Sequence, residues 1–223
     1  MKVVVVGAHG KVARLLTPLL VAGGHDVVGV VRNPDHTADL EADGAAPVLL
    51  DVESASAADL QPHVEGADAV VFAAGAGGKG GPQRKLDVDR DGAISLADAA
   101  AAAGVRRYLL VSAMGLESVV DGATPDGVDP GFVDYLRAKL AAEDALRSRP
   151  ELDLTVLRPG RLSDEPGTGR VALSRSTLGH DDVPRADVAA VLAALVQAPG
   201  TAGQTLELLA GDVPVEEAVA ALA

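Results

Sequence analysis

The sequence predicts an α/β fold: a doubly wound, mostly parallel sheet with a small C-terminal lobe. Three observations predict it. Short valine- and leucine-rich runs alternate with segments of helical spacing. The connections between them are short, as they are in strand–helix–strand units. The 223 residues, 48% hydrophobic, can bury a substantial core. The expectation is one domain over 1–223, with residues from about 160 to 182 and 204 to 223 forming the lobe beside the substrate.

Met1-Lys2-Val3-Val4-Val5-Val6 opens the chain as a β-branched run suited to a buried strand. It stops at Gly7-Ala8-His9-Gly10-Lys11-Val12-Ala13, and helical spacing begins at Arg14-Leu15-Leu16. A second strand is expected over 26–31, closed by Arg32-Asn33-Pro34, then a short helix over 35–41. Strands follow over 46–50, ending in Asp51-Val52, and over 67–72, ending in Ala73-Ala74-Gly75, with a helix over 57–63 between them. Residues 76–82 are glycine-rich, which frees the backbone. A long helix is expected over 86–103, stopped by Gly104, and a fifth strand over 105–111, ending at Ser112. Residues 117–131 read as a loop over the site, 132–148 as a helix and 154–157 as a sixth strand before Arg158-Pro159-Gly160. Beyond that, 169–174 and 205–209 read as strands, 183–197 and 215–222 as helices.

The totals exclude several classes. A formal charge of −13 argues against nucleic acid or an anionic membrane as partner. No apolar stretch reaches a membrane span, and Gly7, His9 and Lys11 interrupt the opening run too early for a secretory leader. Without cysteine there is neither a disulfide nor a thiolate metal site, and the five histidines show no metal spacing. A cytoplasmic monomer or homodimer acting on a small molecule is the expectation.

The opening loop carries the first chemical signal. Strand, glycine turn and helix is the setting of a dinucleotide site. Gly7 takes the tight turn, Gly10 lets a pyrophosphate approach the backbone, and Ala13 lets the helix pack closely. The helix N-terminus, with the N–H groups of Lys11 and Val12, faces the phosphates, and His9 lies within reach of them. A plain glycine connection is the alternative. An acidic residue after the second strand would hold the ribose hydroxyl of NAD; Arg32, with Asn33 beside it, suits the extra phosphate of NADP. A surface arginine is the alternative for Arg32, and Asp51 reads as an adenine contact or a turn residue. Ala73, Ala74 and Gly75 leave room for a cofactor.

The second signal is Tyr135 and Lys139, at i and i+4 on one helix face. Lys139 would lower the Tyr135 pKa and hold a ribose; Tyr135 would exchange a proton with a carbonyl oxygen, which Ser112 would also hold. A solvated helix face and a strand-end serine are the bland alternative.

Together, Gly7-x-x-Gly10-x-x-Ala13, Arg32, Asp51, Ser112, Tyr135-x-x-x-Lys139, Arg158-Pro159-Gly160 and Arg185-Ala186-Asp187-Val188-Ala189 resemble the short-chain dehydrogenase/reductase superfamily. More narrowly, the chain is similar to its short atypical, NAD(P)-binding epimerase/dehydratase-like members. The resemblance implies a Rossmann fold, NADP(H), a Ser112/Tyr135/Lys139 catalytic group, and cofactor contacts that include Pro159 and Gly160. Where many relatives place an active-site Asn, this chain offers Asp89, with Asp91 as a weaker choice. The long C-terminal domain of the extended members is missing, so a nucleotide-sugar substrate is not expected. The leading expectation is an NADPH-dependent reductase of a small carbonyl or planar unsaturated acceptor. A non-catalytic NADP(H) sensor and an epimerase or dehydratase are the alternatives.

Overall fold

The structure, a computed structural model, describes residues 1–77 and 80–223. Gly78 and Lys79, inside the glycine-rich connection expected over 76–82, lie outside the described residues. The strands are β1 (Lys2–Val6), β2 (Asp26–Val31), β3 (Ala46–Leu49), β4 (Ala69–Phe72), β5 (Arg107–Val111), β6 (Asp153–Pro159), β7 (Arg161–Ser163), β8 (Arg170–Ser174), β9 (Asp182–Pro184), β10 (Gln204–Ala210) and β11 (Val213–Pro214). The helices are α1 (Lys11–Ala22), α2 (Thr37–Ala42), α3 (Ala57–Val64), α4 (Pro82–Lys85), α5 (Gly92–Ala102), α6 (Pro130–Arg147), α7 (Arg185–Val196) and α8 (Val215–Ala220).

Nine strands form one sheet in the order β11-β8-β10-β6-β5-β4-β1-β2-β3. From β3 to β10 the neighbours run parallel, and β8 and β11 add antiparallel pairs at the far edge. This is the doubly wound Rossmann-type arrangement, with its switch point between β1 and β4. Of the segments expected as a lobe, β10 and β8 extend this sheet, while β7 and β9 pair in a sheet of two.

Successive side chains of a strand face opposite ways, so a strand covered on both sides must be apolar throughout. The four valines of β1 show it. Val3 and Val5 pack with Leu16 and Leu20 of α1 and Leu192 of α7. Val4 and Val6 pack with Leu60 of α3, Leu96 of α5 and Leu146 of α6 on the other side. Arg107 ties β5 to the end of α7: its buried guanidinium donates to Thr155 Oγ1, Thr201 Oγ1 and the Leu195 carbonyl at 2.6–2.9 Å. Burial pushes its pKa down to about 10.

Three expected boundaries need correction. The helix expected over 86–103 begins earlier, with Pro82 at the first position of α4, and then widens into a π turn over Leu86–Asp91 before α5. The helix α6 starts at Pro130 because Asp129 caps it, accepting from the Phe132 N–H at 3.0 Å. The helix expected over 183–197 loses its first two residues to β9, which runs beside β7. Pro184 is extended there, and α7 begins at Arg185. Among the described residues, no helix is long and apolar enough to cross a membrane.

Candidate active site

The C-terminal ends of β1, β2, β3 and β4 open onto a cleft of about 270 Å³. Gly7, Gly10, Arg32, Asp51, Val52, Ala73, Ala74 and Gly75 line it, with His9 and His36 at one side. Gly7 is constrained twice. Its φ is +82°, and a Cβ there would lie 2.6 Å from the backbone of Ala74. Gly10 donates its N–H to the Gly7 carbonyl at 2.9 Å, and α1 starts one residue later with no acidic side chain in its first turn. A tight bare loop aimed at the positive end of a helix fits a pyrophosphate. Ala73 and Ala74 keep the opposite wall equally low.

The outer end of the cleft is charged. Arg32, largely exposed, lies 3.3 Å from Glu53, and Arg84 donates to the same Glu53 oxygen at 3.0 Å. His9 stacks on His36 with ring centres 3.5 Å apart, and its Nε2 lies 2.7 Å from Asp39. The bond from His9, with Arg14 beside it, holds the Asp39 carboxyl below its ordinary value. Asp51 accepts from the Glu53 N–H at 3.1 Å, so the turn already uses one of its oxygens.

The chemical group lies beneath the inner end. Lys139 of α6 is buried, and its ammonium meets three acceptors: Asp89 at 3.0 Å, the Val111 carbonyl at 3.0 Å and the Ala74 carbonyl at 3.4 Å. Ala74 is the wall it shares with the cleft. The π turn carries Asp89 into the interior, where its second oxygen accepts from the Ala76 N–H at 2.9 Å. Burial alone would pull the Lys139 pKa down, but the charge and hydrogen bond of Asp89, aided by Tyr135 and Glu143, outweigh it and hold it above its ordinary value. Tyr135 is half-buried, with Phe132 packed on its ring at 5.7 Å and the Lys139 ammonium 5.8 Å from its centre.

Two expectations are corrected here. The Tyr135 pKa is raised rather than lowered: burial dominates, and Asp89 opposes the charge of Lys139. Ser112 is not a free hydroxyl at the strand mouth. It is buried and donates to Glu143 at 2.5 Å. Glu143, also buried, takes a two-pronged contact from Arg158 at 2.9 and 2.6 Å and a further bond from Arg147.

Residues 7–199 match the family model described as NAD(P)H-binding. The chain belongs to the NAD(P)H-binding family. Its cofactor class is therefore a nicotinamide dinucleotide. Over 220 residues it is 34% identical to the uncharacterized sugar epimerase YhfK of Bacillus subtilis, covering 98% of this chain and 99% of that one. A solved structure from Bacillus halodurans, named as a candidate NAD-dependent epimerase/dehydratase, is 38% identical over the whole of both chains with a TM-score of 0.88. ChuY, an anaerobilin reductase from Escherichia coli O157:H7, is 27% identical over 96% of this chain and 98% of that one, with a TM-score of 0.79.

Within this family member, several expected contacts lie outside the cleft lining. Lys11 is exposed and pairs with Asp164 at 2.6 Å, and Val12 lies on the buried face of α1. Asn33 caps the turn Pro34–His36, accepting from the Asp35 N–H. Pro159 ends β6 opposite Leu208, and Gly160 is required by packing, since a Cβ there would lie 2.4 Å from the Asp181 carbonyl oxygen. Sequence reasoning missed His36, Glu53, Arg84 and Glu143. Only Glu143 had a local signal: Tyr135, Lys139 and Glu143 recur every four residues along one helix face.

Proposed function

We propose that the protein is an NADPH-dependent oxidoreductase that transfers a hydride to a small carbonyl or planar unsaturated acceptor. The observation that carries this reading is the contact of the Lys139 ammonium with the Ala74 carbonyl, which joins the Tyr135–Lys139–Asp89 array to the cleft wall. The nicotinamide, when bound, supplies the hydride. Gly7, Gly10 and the N-terminus of α1 hold the pyrophosphate, Arg32 meets the 2′-phosphate, and Val52 with Asp51 borders the adenine.

Tyr135 then serves as proton donor from its hydroxyl to the acceptor oxygen. The phenol is protonated at neutral pH and has a proton to give, while burial holds its pKa above the ordinary value and makes it a weaker acid than a free tyrosine. Lys139 has three donors and three acceptors already, the weakest at 3.4 Å. A ribose hydroxyl would take the place of that long contact. Asp89 keeps the ammonium charged so close to the phenol. Ser112 gives its proton to Glu143, so the acceptor oxygen is left to Tyr135.

The Bacillus relatives' names favour a second reading, an epimerase or dehydratase that returns the hydride to its substrate. Net NADPH consumption separates the two. The test is an NADPH oxidation screen over carbonyl and quinone acceptors with the parent chain and Tyr135→Phe. Loss of the donor should lower kcat about 10²- to 10⁴-fold with unchanged NADPH affinity. Turnover that survives the substitution removes Tyr135 from the role.

A further inference from the structure

Glu53 bridges two arginines that line the cleft and come from distant parts of the chain. Its Oε2 lies 3.3 Å from the Arg32 guanidinium, just past β2, and 3.0 Å from Arg84 of α4. Arg32 and Arg84 both line the cleft. One carboxylate oxygen thus engages two cations that face the bay, close to where a nucleotide's adenosine ribose would lie. The pairs are partly exposed, with side-chain exposures of 55% for Arg32, 22% for Arg84 and 30% for Glu53. Solvent and salt weaken such contacts, so a stronger anion can displace them.

We infer that Glu53 occupies the seat of the cofactor's 2′-phosphate and sets the choice between NADPH and NADH by competing for Arg32 and Arg84. The inference rests on the nicotinamide-dinucleotide reading of the cleft. A phosphomonoester carries nearly two charges and three acceptor oxygens, against one charge on the carboxylate. It can therefore take both guanidiniums and push Glu53 aside, but it must break two contacts to do so. With NADH there is no phosphate. Glu53 then keeps its arginines, and its carboxylate is free to accept from a ribose hydroxyl, as acidic groups do in NAD sites. The same side chain opposes one cofactor and supports the other. Arg32 alone would make the site strictly selective; Glu53 narrows the margin by which NADPH is preferred.

The test measures equilibrium binding of NADPH and NADH by nucleotide fluorescence, with the parent chain, Glu53→Gln and Glu53→Asp. Glu53→Gln should tighten NADPH about 3- to 10-fold, leave NADH unchanged or weaker, and steepen the salt dependence of NADPH binding. Glu53→Asp, one methylene short of reaching both arginines, should move the same way by less. NADPH affinity that is unchanged or weaker in both variants overturns the inference, because Glu53 would then be holding the arginines in place for the phosphate. If the parent chain binds NADPH and NADH equally poorly, the cofactor reading itself fails and takes this inference with it. Should Glu53→Gln not fold, the sign of the change in Glu53→Asp decides.

Discussion

Asp89→Asn is the sharpest test of how the interior is held together. The substitution keeps the shape and removes one charge. Asp89 and Lys139 lie 3.0 Å apart, with side-chain exposures of 0% and 5%. At an effective dielectric near 20, their attraction is about 5 kcal/mol before any cost is counted. Burying each ion costs several kcal/mol, so the pair as a whole is worth much less than that. Removing one partner is different, because the cost of burying the other remains. The expected loss is about 3 kcal/mol, toward the low end for broken buried pairs, since Asn can still accept from the Ala76 N–H. For a chain of this size that corresponds to a fall in Tm of about 6–12 °C, read by circular dichroism at pH 7.

The pH dependence gives the sign. In the parent, the raised Lys139 pKa contributes stability that is complete below the ordinary lysine value of 10.5 and is lost as pH climbs through the folded value. In the variant, the largest opposing charge is gone, only Tyr135 and Glu143 still act against burial, and the ammonium should fall below its ordinary value. The penalty for keeping it charged is then present at neutral pH and disappears as pH rises. The gap between parent and variant should narrow from pH 7 toward pH 10. A loss below about 1 kcal/mol, or a gap that stays constant over that range, would refute the reasoning.

Two further perturbations probe the rest of the site. Gly7→Ala forces an L side chain to a φ of +82° and drives its Cβ to 2.6 Å from the Ala74 backbone; urea titration should show a loss of about 2–4 kcal/mol, and nucleotide fluorescence should show no NADPH bound. Glu143→Gln leaves the Arg158 guanidinium facing an amide that cannot neutralise it; denaturation should cost about 3–5 kcal/mol, and a variant as stable as the parent would show that the cluster under Ser112 is not a buried charge pair.

The sheet was readable because its central strands are covered on both sides. Such strands cannot alternate polar with apolar residues, so Val3–Val6 and Ala69–Phe72 stand out as unbroken runs. The glycine turn and the Tyr135/Lys139 pair were readable because each depends on residues a few positions apart. What escaped depends on distance in the chain. The direction of the Ser112 hydroxyl is set by Glu143, and Glu143 is held by Arg158 from the next strand. The net effect on Tyr135 depends on Asp89, which only the fold brings beside Lys139. The three-residue strand β9 carries no periodicity of its own; its partner β7 lies some twenty residues earlier. The widened turn at Leu86–Asp91 likewise has no signature in propensity.

That widened turn has a consequence for how the chain tolerates length changes. A π turn accommodates one residue more than an α turn, and each residue of an α-helix rotates the next by about 100°. Deleting a single residue between 86 and 91 would let regular winding run through from Pro82 to Ala102. The two ends would then fall out of phase. Either Ala93, Ala97 and Ala100 keep their seat against the sheet and the Asp89 carboxylate swings off the lysine, or the carboxylate stays and the alanine face turns toward water. The extra residue acts as a rotational spacer, letting one continuous helical segment satisfy the core at one end and the site at the other.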